Sequence, residues 1–323
     1  MNRVELIIKP TSVCNFNCTF CAASTLDIQH PNNVSDKLKK LIGILRPEGL
    51  IITGGEPLMC NPSYYEELLT LCDCQLSFTT NLKDFYLYPD KWTPLFTNPR
   101  VNVCTSFNYG NTRLWDKDTV YNEEAFRKVI ALFKKRVGYV PPFIAVISEE
   151  NEHTAYEHVQ LAKKLGTRCR LNNALKMGRQ GIYYPRYKMF EMWLNIIDQG
   201  VDEYEINCAE RGTGCCPTNS NLMCQSTIRC AYVDTDNNLH YSDCEDKINM
   251  DYGMEIPVET IRPEAKPQPV TYNEAINVQC TYCELFNICN GCSTNREQAK
   301  ETPEYCCEML KLKERIVKAG WKL

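Results

Sequence analysis

Short apolar runs alternate with amphipathic stretches through the first 200 residues. Val4–Lys9, Leu50–Thr53, Gln75–Thr80, Val101–Phe107, Phe143–Ile147 and Arg168–Asn172 read as strands rich in Val, Ile, Leu and Phe. Between them, Val34–Leu45, Tyr64–Cys72, Glu123–Arg136 and Ala155–Leu165 place apolar residues three or four apart and predict helices. Strands separated by helices call for a parallel sheet with right-handed crossovers. Such units in about 175 residues fit an incomplete, TIM-like (β/α)6 barrel, because a full eightfold barrel takes ~250 residues. An apolar helix at Tyr187–Gln199 closes this part, expected to span 1–205.

The pattern then breaks. Asn207 to Cys307 is dense in Cys, Asn, Gly and Pro, with Pro257, Pro263, Pro267 and Pro269 in one stretch. A loop-built second domain, 206–323, buries little apolar surface, and bound metal can supply the missing folding free energy. Helical spacing returns at Glu304–Lys318, with Met309, Leu310, Leu312 and Ile316 as its expected core face. The expected class is α/β: a partial barrel followed by a small loop-rich domain.

Charge separates the same two parts. The chain carries −4 overall; residues 1–200 hold 24 basic against 20 acidic side chains, and 201–323 hold 12 against 20. Neither part shows the basic stripe that tracks a phosphate backbone, so no nucleic-acid partner is expected. No run approaches the ~18 apolar residues of a membrane span, and the start lacks a signal-peptide core, which makes the cytoplasm the expected location.

Twenty cysteines change the picture more than the charge does. Disulfides belong to oxidising compartments and small secreted scaffolds, whereas short-spaced cysteines beside only four histidines suit all-thiolate metal sites. Directly after the first strand stands Cys14-x3-Cys18-x2-Cys21, with Phe20 before the last cysteine. Three thiolates on a [4Fe–4S] cluster leave one iron open to chelate something else. The second strand ends in Thr53-Gly54-Gly55-Glu56-Pro57, where glycines permit close backbone approach and a carboxylate can pair with an ammonium. Both loops lie where a parallel barrel builds its active face.

These two motifs resemble those of the radical S-adenosylmethionine superfamily. The resemblance implies that Cys14, Cys18 and Cys21 ligate the cluster and that its open iron chelates the methionyl group of S-adenosylmethionine. Gly54, Gly55 and Glu56 would hold the amine, and Phe20 would sit by the adenine. Ser106, Asn108, Ser148 and Asn151 are the candidates for ribose and carboxylate contacts, although Asn108-Tyr109-Gly110 stands where family members often show Asp-Gly.

The later cysteines, Cys224-x5-Cys230-x13-Cys244, Cys280-x2-Cys283-x5-Cys289-x2-Cys292 and Cys306-Cys307, resemble the SPASM extension of peptide-modifying radical enzymes. That likeness implies two auxiliary [4Fe–4S] clusters, three clusters in all. Cys224, Cys230, Cys244 and Cys292 would hold one; Cys280, Cys283, Cys289 and either Cys306 or Cys307 would hold the other. By similarity to anaerobic sulfatase-maturing enzymes, Glu245 is a candidate general base. The resemblance further implies a peptide or protein substrate and a small electron-donor protein such as a flavodoxin or ferredoxin. With a barrel beginning almost at residue 1, no separate leader-binding domain is expected ahead of it.

Three alternatives remain open on the sequence. The substrate could be a nucleotide, sugar or small metabolite. Cys280, Cys283, Cys289 and Cys292 alone would make a four-thiolate zinc site in a non-catalytic interaction protein, leaving Cys224, Cys230 and Cys244 unexplained. Glu245 could be a solvated surface acid. Cys60, Cys72, Cys74, Cys104 and Cys169 read as packing residues, and Tyr183, Tyr184 and Tyr187 as core or as the lining of a peptide groove.

Overall fold

The computed structural model describes residues 5–21, 33–174, 184, 186–199, 230–233, 239–242, 254–256 and 304–318. Within them the apolar runs form β1 (Glu5–Ile8), β2 (Gly49–Ile52), β3 (Gln75–Thr79), β4 (Val101–Ser106), β5 (Phe143–Ile147) and β6 (Cys169–Asn173). All pair in parallel in the order β6-β5-β4-β3-β2-β1, with Ile8 beside Ile52 and Ile52 beside Phe78. Leu6, Ile7 and Ile8 are all buried, as expected for a parallel strand covered on both faces.

The helices are α1 (Asp36–Leu45), α2 (Pro62–Leu71), α3 (Lys83–Leu87), α4 (Pro89–Phe96), α5 (Glu123–Val137), α6 (Ala155–Leu165), α7 (Arg186–Asp198) and α8 (Tyr305–Lys318). Their ends follow local chemistry. The Asn122 side chain accepts from Ala125 N at 2.9 Å, acids open α5, Lys134, Lys135 and Arg136 close it, and Gly138 takes φ +101° beyond it. Helices α3 and α4 are absent from the sequence expectation: one is five residues and the other eight, too short for a period, and prolines 89 and 94 mark them as turns. Tertiary burial of Phe85, Trp92 and Phe96 against Phe78 and Phe133 stabilises them.

Two features cut across the sequence reading. Beyond β1 the sheet continues into β7 (Cys230–Val233), parallel to it, and then the antiparallel β8 (Leu239–Ser242) and β9 (Met254–Ile256). The sheet therefore runs on past residue 205, where composition changes. Cys72 and Cys74, expected as packing thiols, form a disulfide between the end of α2 and the start of β3. Cys60 and Cys169 are buried, in keeping with packing, and Tyr184 is in the core. Helix α8 packs on α7 with Met309 buried. Among the described residues no helix is long and apolar enough to cross a membrane.

His158 on α6 locks the loop after β4. Its Nε2 accepts from Tyr109 N at 3.0 Å and its Nδ1 donates to Thr154 O at 2.8 Å, which defines a neutral ring. Burial pushes its pKa from 6.5 down to about 4, helped by the nearby Arg113 charge. A depressed folded pKa means that the unfolded chain binds the extra proton, so this stability is present above pH 6.5 and lost as pH falls toward 4. Denaturant titrations should show about 2 kcal/mol less of it at pH 5 than at pH 7. A His158→Phe variant should lack that increment; an unchanged pH slope would refute the assignment.

Candidate active site

Parallel strands deliver their C-terminal ends to one face, where the loops after β1, β2, β3, β4 and β5 meet. The first two are bonded together as an extension of the sheet. Thr53 N donates to Ile8 O at 3.0 Å, Gly55 N to Thr11 O at 2.8 Å and Glu56 N to Val13 O at 2.7 Å. The glycines are what allow this. A Cβ on Gly55 would stand 2.2 Å from Val13 O and 2.5 Å from Ser12 O; one on Gly54, whose φ is +124°, would stand 2.5 Å from Thr11 O. The close approach seen here is to the cysteine loop's own backbone.

Glu56 is 1% exposed, and its carboxylate is a junction. Oε1 accepts from Leu58 N at 3.0 Å and Thr80 Oγ1 at 2.5 Å, and Oε2 from Asn81 N at 2.7 Å, joining the loops after β2 and β3. Burial raises its pKa to about 7 against the pull of these three donors. Asn81 passes the link onward, donating to Asn15 Oδ1 at 2.8 Å and to Cys14 Sγ at 3.8 Å. Lys83 donates to the carbonyls of Asn15 and Trp115 and lies over the Trp115 ring.

A hairpin after β4 covers the cysteine loop from the other side. Asn17 N donates to Leu114 O and Thr19 N to Thr112 O, while Phe16 packs against Trp115 and Tyr121. At its base lies Arg113, buried, with Nη1 2.9 Å from Ser106 Oγ and 3.8 Å from Cys18 Sγ. Its Nε and Nη2 donate to Asn108 Oδ1 at 3.3 and 3.1 Å, and its Cζ lies 5.0 Å from the centre of the Phe20 ring. Asn108 and Asn151 both donate to Val146 O, at 2.5 and 3.0 Å, and Asn151 Oδ1 accepts from Ser148 N.

The structure therefore gathers Cys14, Cys18, Cys21, Phe20, Gly54, Gly55, Glu56, Ser106, Asn108, Ser148 and Asn151 onto one face. It also engages many of their polar atoms in holding the strand ends. Sequence reasoning missed Thr80, Asn81, Lys83 and Arg113.

The three thiols suit a cluster. Burial pushes the Cys14 thiol up to about 12 and the Cys18 thiol in the same direction, and the neighbouring sulfurs add to both shifts. Thiolates here need a compensating cation, which iron supplies. N–H donors already point at the sulfurs: Phe16 N at 3.4 Å to Cys14, and Leu114 N to Cys18. Among the described residues no three His, Cys, Asp or Glu side chains are arranged to hold a single metal ion, whereas a [4Fe–4S] cube takes one thiolate per iron.

Of the expected auxiliary ligands, Cys224, Cys244, Cys280, Cys283, Cys289 and Cys292 lie outside the described residues, as does Glu245. Cys230 opens β7, next to Glu5 of β1, and Cys306 and Cys307 are exposed on the first turn of α8.

The site is thus a three-cysteine loop at the mouth of the first strand of a partial parallel barrel. Residues 8–162 match the model of the Radical SAM superfamily. Three solved structures share the chain's fold. Hexahistidine-tagged anSMEcpe with bound AdoMet is 16% identical with a TM-score of 0.67, covering 98% of this chain and 97% of its own. Streptococcus suis SuiB bound to precursor peptide SuiA is 16% identical with a TM-score of 0.60, covering 94% and 74%. SuiB bound to S-adenosylmethionine is 19% identical with a TM-score of 0.59, covering 94% and 76%. No curated protein sequence matches the chain.

Proposed function

We propose that this radical SAM enzyme abstracts hydrogen from a peptide or protein, with auxiliary [4Fe–4S] clusters of its C-terminal cysteines accepting the electron. The observation that carries the reading is the joined pair of loops, Thr11–Cys21 and Thr53–Glu56, which presents three thiols at the barrel mouth, Cys18 buried and Cys14 and Cys21 half-buried. The peptide is supported by the fold shared with SuiB, which was captured with a precursor peptide.

Cys14, Cys18 and Cys21 would hold the cluster, whose chemistry with S-adenosylmethionine is one-electron cleavage of the sulfonium to yield a hydrogen-abstracting 5′-deoxyadenosyl radical. The chain's own residues position and seclude that site. Asn81, Phe16 N and Arg113 donate to the sulfurs, Glu56 and the glycines keep the loop in register, and Trp115, Tyr121 and Phe16 exclude water beside it. Electron supply is assigned to a small flavodoxin- or ferredoxin-like protein.

Anaerobic reconstitution should give about twelve iron per chain, falling to about eight in Cys14→Ala/Cys18→Ala/Cys21→Ala. Wild type holding about four, all lost in that variant, would remove the auxiliary clusters from the reading. For the substrate, deuterium should pass from a labelled peptide into 5′-deoxyadenosine. Transfer from a nucleotide, sugar or metabolite pool instead would overturn the peptide assignment.

A further inference from the structure

Arg113 is 6% exposed, and among the described residues no carboxylate pairs it. Its partners are the neutral Ser106 and Asn108, the face of Phe20 and the Cys18 sulfur. A guanidinium removed from water without an anion is strongly disfavoured, so such a cation implies a negative charge at its side. Cys18 is the neighbour able to carry one, as a thiolate.

The geometry is rigid. Asn108 Oδ1 accepts both Nε–H and Nη2–H and is itself fixed by Val146, so the planar fork has one orientation, and in it Nη1 faces Cys18. The next residue, Leu114, gives its backbone N–H to the same sulfur.

We propose that Arg113 is a positioning residue for the iron–sulfur cluster: its charged N–H···S bond holds the Cys18 thiolate in place and makes the cluster easier to reduce. This rests on the reading that Cys14, Cys18 and Cys21 bind that cluster. The direction follows from charge. Reduction adds one negative charge to the cluster, a fixed cation beside a ligand sulfur favours the reduced form, and hydrogen bonds to the sulfurs shift the potential likewise.

The test is a redox titration of the anaerobically reconstituted full chain, following the electron paramagnetic resonance signal that disappears in the Cys14/Cys18/Cys21 alanine variant. In Arg113→Met the ratio of reduced to oxidised cluster at a fixed potential should fall about tenfold, about 59 mV for one electron. Arg113→Lys, which keeps the charge without the fork, should fall less. A potential unchanged in Arg113→Met, with iron still bound, overturns the proposal and leaves the cluster assignment standing. If Arg113→Met takes up no iron at that site, Arg113→Lys decides. Uptake restored by lysine supports the counter-charge role, and equal loss in both overturns it. A wild type without iron dependent on the three cysteines removes the cluster reading and this inference with it.

Discussion

Gly55→Ala should lose the barrel-mouth iron, about four per chain, as completely as removal of its three cysteines does. The added Cβ would meet two backbone carbonyls, Val13 O at 2.2 Å and Ser12 O at 2.5 Å, and no flexible side-chain end is there to yield. Relief requires Thr11–Val13 to move, which breaks the bonds from Gly55 N and Glu56 N and displaces Cys14. Overpacking of this kind costs about 1–3 kcal/mol in cores that can repack, and a backbone contact belongs at the upper end. Gly43→Ala is the control. That exposed position in α1 has nothing within 4 Å of a Cβ, and alanine there should stabilise by about 1 kcal/mol, as expected for a helix interior. Iron analysis and thermal unfolding of the two variants side by side decide the matter. Full iron and an unchanged melting temperature in Gly55→Ala would show that the joined loops do not set the cysteine loop.

Glu56→Gln should destabilise the protein by about 2 kcal/mol and Glu56→Ala by about 4, with no S-adenosylmethionine present. The carboxylate accepts from Leu58 N, Thr80 Oγ1 and Asn81 N in a site closed to water. A carboxamide turns an N–H toward one of these donors whichever way it is set, and alanine leaves all three without an acceptor. Urea unfolding of the anaerobically purified protein measures this. A residue serving solely as an ammonium partner for a bound ligand would leave ligand-free stability at the wild-type value, so that result would reassign Glu56 from junction to ligand contact.

The barrel was legible because its signals are local. Strands buried on both faces read as continuous apolar runs, and α5 and α6 advertise themselves by an apolar period and, for α5, by end charges. Phe143–Ile147 and Ala155–Leu165 match the structure residue for residue. Helices α3 and α4 were not legible, since they owe their form to Phe78 and Phe133 from other segments. The disulfide of Cys72 with Cys74 was hidden for a related reason: spacing alone does not reveal how a helix end and a strand start are turned toward each other.

At the site the division is finer. By itself the sequence determined that three thiols and a Gly-Gly-Glu segment follow consecutive parallel strands, and parallel topology puts such loops side by side whatever else the chain does. It also determined the polar residues ending β4 and β5. What Gly54, Gly55 and Glu56 touch was decided by tertiary structure, because the approach of one loop's backbone to another depends on strand register, which leaves no trace in spacing. The same holds for Arg113. Nothing in its neighbours marks it as buried, and its place beside Cys18 exists because the hairpin after β4 folds back along Asn17–Thr19, a contact across some 95 residues that no local pattern encodes.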